Sequence, residues 1–170
     1  MAKKTGVPIL IDIPQHGHSN ADDGGVLKLS GGGVYKTIQQ DLPVGVATAI
    51  IWEVKRYDLL NAIDLVTYPT YILTVPYGYI WANINCVFSV LCPVNTNECL
   101  LYIRQKRVAA TILDTMFTIP PTTKIMSIGG IISTGTIPVQ QGDYFILYSQ
   151  NIGGVRSLLV NTRCNFVLYR

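Results

Sequence analysis

The sequence predicts an all-β chain folded as a sandwich or jelly roll, with an extended arm in front of it. Two observations carry the fold class. From Val34 onward valine, isoleucine, threonine and tyrosine dominate, and branched and aromatic side chains suit a pleated surface. Turn signals recur about every 8–12 residues, the rhythm of short antiparallel strands. They include Leu42-Pro43, Tyr57-Asp58, Tyr68-Pro69, Pro76-Tyr77-Gly78, Pro120-Pro121, Gly129-Gly130, Gln141-Gly142-Asp143 and Gly153-Gly154. A third observation is negative. No stretch keeps the apolar period of an amphipathic helix, and residues 48–55, the nearest approach, hold branched residues that favour a strand.

Strands are accordingly expected at 34–40, 48–54, 71–75, 79–91, 124–133, 144–150, 155–161 and 164–169. Segments 99–105 and 108–113 form a hairpin over Lys106-Arg107. The long run at 79–91 is mostly apolar, as a buried central strand should be. In Tyr144-Phe145-Ile146-Leu147-Tyr148 both alternate sets are large and apolar, so this strand is expected to face the core on one side and a neighbouring subunit on the other.

Residues 1–33 differ in texture and read as an extended anchoring arm or linker, with the jelly-roll domain at 34–170. Pro8 and Pro14 rule out a helix there, and the glycine run Gly31-Gly32-Gly33 reads as a flexible boundary. Fully extended, such an arm reaches about 100 Å. Its apolar residues Ile9, Leu10, Ile11 and Ile13 need a partner surface, and they are the expected anchor. The basic start leads into too short an apolar stretch for a signal peptide, and no apolar run has the length of a membrane span.

Composition narrows the function. The chain of 170 residues is 49% hydrophobic and only 14% charged, well under the usual quarter or so. Such a surface is expected to be buried partly between subunits. Net charge is +3, with Lys3 and Lys4 in the arm and Arg104, Lys106 and Arg107 around one turn. Without a basic run or stripe these are solvated turn charges, and nucleic-acid binding is not expected. None of the four cysteines forms a C-x-x-C pair, which removes zinc-ribbon and thioredoxin-type readings. All four are expected to be reduced thiols, with Cys86 and Cys164 buried; Cys92 and Cys99 flank the segment 93–98, and a hairpin bridge between them stays open.

Catalytic chemistry is not expected. The two histidines, His16 and His18, lie outside the globular part, and Glu53, Asp58, Asp64, Glu98, Asp114 and Asp143 are scattered near turns. Asp22-Asp23-Gly24-Gly25 lacks the later glutamate of an EF-hand, and no Lys-Ser/Thr follows the glycine run to make a phosphate loop.

Three motifs together resemble the C1q/tumour-necrosis-factor-like jelly roll over residues 34–170. Val75-Pro76-Tyr77-Gly78-Tyr79-Ile80 is similar to the family's V-P-x-x-G-x-Y entry into a long inner strand. Val139-Gln140-Gln141-Gly142-Asp143-Tyr144 resembles its V-x-x-G-D turn, and Asn165-Phe166-Val167-Leu168-Tyr169-Arg170 its aromatic closing strand. Gly78 and Gly142 permit positive φ before a strand, and Asp143 can bond local amides. In the arm, His16-Gly17-His18-Ser19 followed by Gly24-Gly25-Val26-Leu27 resembles the H-x-H linkers of tailed-phage fibre proteins.

The combined resemblance implies a homotrimeric virion protein of a tailed phage, a head fibre, knob or decoration protein, assembled in the host cytoplasm. The arm would bind other virion proteins (capsid, portal or tail), and Tyr79, Tyr144, Ile146, Tyr148 and Phe166 are the expected trimer-interface residues. Two rivals remain. One is a receptor-binding tip for a host surface glycan, with exposed aromatics such as Trp52, Trp81 or Tyr57; the other is a polysaccharide hydrolase. No cofactor is expected beyond one case. On an extended chain His16 and His18 point to one side about 7 Å apart. Three such pairs on a threefold axis would suit an octahedral transition-metal ion; a polar hinge is the alternative.

Overall fold

The computed structural model describes residues 30–94, 97–108 and 110–170. Two antiparallel sheets stack face to face, and no helix occurs among the described residues. The strands run in chain order as β1 (Ser30–Tyr35), β2 (Gln40–Leu42), β3 (Ala47–Ala49), β4 (Val54–Asp58), β5 (Tyr71–Thr74) and β6 (Trp81–Cys92). Then follow β7 (Cys99–Arg107), β8 (Ala110–Ile119), β9 (Met126–Pro138), β10 (Tyr144–Asn151), β11 (Arg156–Leu158) and β12 (Arg163–Tyr169). The larger sheet has the order β2-β11-β6-β12-β1-β4, with β9 on the other side of β6. The smaller runs β3-β10-β7-β8, with β5 also on β10. This is the jelly-roll sandwich that the turn rhythm predicts.

Strand alternation builds the core. On β6 the inward set is Ala82, Ile84, Cys86, Phe88, Val90 and Cys92, all buried. From the smaller sheet, Leu101, Ile103, Phe145 and Leu147 supply the opposite layer. Each large apolar side chain buried this way stabilises the fold by roughly 1.5–3 kcal/mol.

Several expectations need correction. The strand expected at 48–54 is two strands in different sheets: β3 pairs with β10, β4 pairs with β1, and Ile50 and Trp52 fill the core on the way across. The glycine run is not a flexible boundary. Gly31, Gly32 and Gly33 lie inside β1, between β12 and β4. A Cβ on Gly32 would lie 2.5 Å from Cζ of Phe166 and 3.0 Å from Cδ1 of Ile63. Only a bare backbone lets the Phe166 ring close under this strand. The jelly roll therefore begins by Ser30, inside the segment expected to be arm.

The cysteines also differ from expectation. Cys86 and Cys164 are directly opposed on β6 and β12, with Cα atoms 4.0 Å apart, and are joined as a disulfide. Both were expected to be reduced. Register explains the difference: each points inward from its own strand, and the pairing of β6 with β12 sets them face to face. Cys92 and Cys99 are free buried thiols. Burial pushes both above the ordinary thiol range, with the Arg156 guanidinium offsetting part of that.

Candidate functional site

The outer face of the larger sheet is the first candidate surface. It is built from the outward alternates of its central strands: Trp81, Asn83, Asn85 and Val87 on β6, Arg163, Asn165, Val167 and Tyr169 on β12, Ile131 and Thr136 on β9. Gly31, Gly33 and Gly129 keep it flat. Trp81 and Tyr169 are paired across β6 and β12, each 42% exposed, and with Thr136 they line a shallow depression at one end. Ile131, 62% exposed, lies toward the other end. Between them Asn85 donates to Asn83 at 2.8 Å.

A second surface covers the smaller sheet. Tyr68, Tyr71 and Tyr144 stack in a row with centroids 4.7 and 4.3 Å apart. Farther along, Tyr102 and Tyr148 stack at 5.5 Å. The Arg104 guanidinium lies 5.0 and 5.3 Å from those two rings and donates two bonds to Asp114, at 2.8 and 2.7 Å. Cross-strand register makes the row: Tyr148 opposes Tyr102, and Arg104 opposes Asp114. Burial pushes Tyr71 up to about 12, helped by its bond with Tyr144. Burial also raises Tyr102, against the opposing pull of Arg104.

The turn before β10 is the most tightly bonded spot. Asp143, fully buried, accepts from Arg107 Nε (2.7 Å) and an η nitrogen (2.9 Å), from Gln105 Nε2 (2.8 Å) and from the Gln140 amide (2.9 Å). Burial pushes its pKa up, and the bonds from Arg107, Gln140 and Gln105 outweigh that and hold it below the ordinary carboxylate value. Gly142 has φ 83° and Gly78 φ 85°, as their places before strands require. The amide bond by Asp143 is the local one expected from the sequence; the arginine clamp was not foreseen.

Other acids also serve the fold. Glu53 binds the buried Lys36 at 2.7 Å. Asp58 accepts from the amides of Leu60, Ala62 and Ile63. Asp64 accepts from those of Val66 and Thr67, and the Thr67 bonds lower its pKa. Arg104 and Arg107, two of the three basic residues around the β7–β8 turn, are paired with Asp114 and Asp143.

The expected interface residues are divided among these places. Tyr144, Ile146 and Tyr148 lie on the outer side of the smaller sheet, Ile146 only 5% exposed. Tyr79 and Phe166 belong to the chain's own core, and Arg170 covers the Tyr79 ring at 5.2 Å. Phe166, at 1% exposure, has no surface to offer a partner. Trp52 is likewise buried, while Trp81 and Tyr57 are exposed. His16, His18 and the anchor residues Ile9, Leu10, Ile11 and Ile13 lie outside the described residues. Tyr169, Val167 and Ile131 escaped the sequence reading. Their signal was the alternation within the strands expected at 124–133 and 164–169.

No family model matches the sequence, and no curated protein matches it. Solved structures do. Murine APRIL at pH 8.0 superposes with TM-score 0.58 and 11% identity, over 84% of this chain and 100% of that one. Eiger TNF from S. frugiperda gives 0.56 and 10%, over 84% and 93%. Murine APRIL at pH 5.0 gives 0.54 and 12%, over 84% and 100%. At such identities the likeness concerns the fold, a tumour-necrosis-factor-like jelly roll.

Proposed function

We propose that this chain is a homotrimeric structural protein of a tailed-phage particle, a head fibre, knob or decoration protein. The observation that carries the self-association is the flat outer face of the larger sheet. Its glycines and small amides let another surface approach, while Trp81, Val167, Tyr169 and Ile131 supply apolar area. Obligate interfaces resemble a core cut in half, and charged residues on this face such as Arg163 on β12 and Asp41 on β2 lie away from the Trp81–Tyr169 end. The H-x-H linker resemblance of residues 16–27 supports the phage assignment. The arm then binds capsid, portal or tail protein, and the domain projects outward. The role is binding and assembly rather than catalysis.

Light scattering at micromolar concentration tests the trimer, with three times the chain mass of 18.7 kDa as the expected value. A stable soluble monomer sinks it. Imaging of the intact particle with this chain placed in it tests the location.

The second reading is a tip that binds a neutral host glycan. The tyrosine row with the neutralised Arg104–Asp114 pair supports it, because sugars are held by aromatic surface and planar polar groups. A Tyr68→Ala variant that binds glycan arrays as the wild type does would remove this reading.

A further inference from the structure

Two buried thiols and a buried cation meet at one end of the sandwich. Ser157 pairs with Leu91, so the ladder of β11 and β6 sets Arg156 across from Cys92. In the smaller sheet Cys99 pairs with Asn151. Both cysteines belong to the inward alternates of their strands, and all four residues are 0% exposed. The Arg156 guanidinium lies between the sheets. One η nitrogen donates to the carbonyl of Asn97 at 2.7 Å, and the other to Asn151 Oδ1 at 3.4 Å. Both sulfurs lie beside the same guanidinium.

The charge of this cluster is not balanced. A buried arginine needs an anion to offset the cost of leaving water. Among the described residues Arg156 has no ion pair, and its Nε has no hydrogen-bond partner. Glu98, next to Cys99, is exposed. The thiols are weakly bonded too: Cys92 Sγ donates to the carbonyl of Val90 at 3.7 Å, and Cys99 Sγ to that of Leu100 at 3.8 Å. Stacked sheets lie about 10 Å apart, so inward sulfurs from opposite sheets approach to within a few ångströms, the span of two metal–sulfur bonds of about 2.3 Å each.

We infer that Cys92 and Cys99 form a two-coordinate site for a soft monovalent metal ion, Cu(I) or Ag(I), with Arg156 as its counter-charge. Soft thiolates select such ions. Two thiolates and one monovalent ion carry a net charge of −1, which the guanidinium cancels. A divalent ion would leave the arginine uncompensated and would call for more ligands than the two thiols. On binding, two S–H bonds break and two metal–sulfur bonds form. Both protons go to solvent, and no oxidation state changes. The Cys86–Cys164 disulfide takes no part, since Cys86 lies about 20 Å back along β6. The site is independent of the trimer reading.

Copper titration of the purified full chain tests it. Cu(I) is supplied anaerobically as its acetonitrile complex and competed for by a chromophoric Cu(I) chelator. The wild type should retain one ion per chain, and Cys92→Ala/Cys99→Ala at least about tenfold less. Burial holds both thiols above the ordinary range, so both start protonated at neutral pH, and uptake by the wild type should release two protons per ion. Arg156→Gln should bind at least about tenfold more weakly, and Arg156→Lys, which keeps the charge, should recover most of that loss. Retention by the wild type no greater than by the double variant overturns the site, as does release of fewer than two protons. Equal binding by Arg156→Gln and the wild type removes the counter-charge and overturns the choice of ion. Loss of both free thiols without retained copper would mean a Cys92–Cys99 disulfide instead.

Discussion

Asp143 holds four donors with no surface exposed to water, and its ionisation contributes to the stability of the fold in acid. Its folded pKa is depressed. Its contribution to stability is therefore full above the unfolded carboxylate value of about 3.9 and is lost as pH falls through the lower folded value. Urea unfolding of the wild type should lose stability on acidification below about pH 4, and Asp143→Asn should flatten that slope. At neutral pH the same variant should cost about 1–2 kcal/mol, because an amide cannot accept from Arg107, Gln105 and the Gln140 amide together, while Arg107, 36% exposed, is resolvated by water. Gly32 acts by absence of a side chain. Gly32→Ala puts a methyl carbon into the Phe166 ring and should cost about 1–3 kcal/mol. Pairing it with Phe166→Leu should recover part of that cost, measured as the coupling in a double-mutant cycle.

Among the elements, β1 and the β6–β12 pair decide what the fold tolerates. Because β1 lies between β12 and β4, a chain that starts at Ser30 should fold, and one that starts at Val34 should not. Circular dichroism melts of the two truncations check this, and equal melting would mean that the glycine strand adds nothing. The disulfide Cys86–Cys164 ties the two inner strands across a separation of 78 residues. Thiol counting under denaturing, non-reducing conditions should find two free groups, Cys92 and Cys99, rather than four. Reductant should lower the stability by about 2–4 kcal/mol, read from the urea midpoint. Four free thiols would show that this opposed pair packs without bonding.

For the molecule as a whole, the distribution of charge predicts how it assembles. The acids and arginines bonded as described above are largely spent on internal pairs, and the outer face of the larger sheet offers mainly glycine, amide and apolar groups, with Arg163 and Asp41 away from its Trp81–Tyr169 end. Association through that face should persist from 0.1 M to 1 M salt, since screening weakens charge pairs and leaves apolar contact intact. Sedimentation at the two salt concentrations checks it; dissociation at high salt would point instead to ionic contacts outside this face. The long reach of the fold also bears on folding. Ser30 bonds to the carbonyl of Leu168 across 138 positions, so the two ends of the domain must meet before the larger sheet is complete. Folding is therefore expected in milliseconds to seconds, slow for a single domain.

The sequence by itself determined the class of fold, the positions of most turns and strands, and the positive φ at Gly78 and Gly142. These follow from local chemistry: side-chain branching, turn residues and the Cβ that glycine lacks. Only the tertiary structure decided which alternate of each strand faces water. It placed Phe166 and Tyr79 in the core and Tyr169 on the surface, split residues 47–58 between two sheets, and turned a glycine run from a boundary into a strand. It likewise set Cys86 against Cys164. Each of those outcomes depends on register between strands far apart in the chain, and a shift of one residue exchanges the two faces. Such register is fixed by long-range packing, which leaves no mark within any short stretch of sequence.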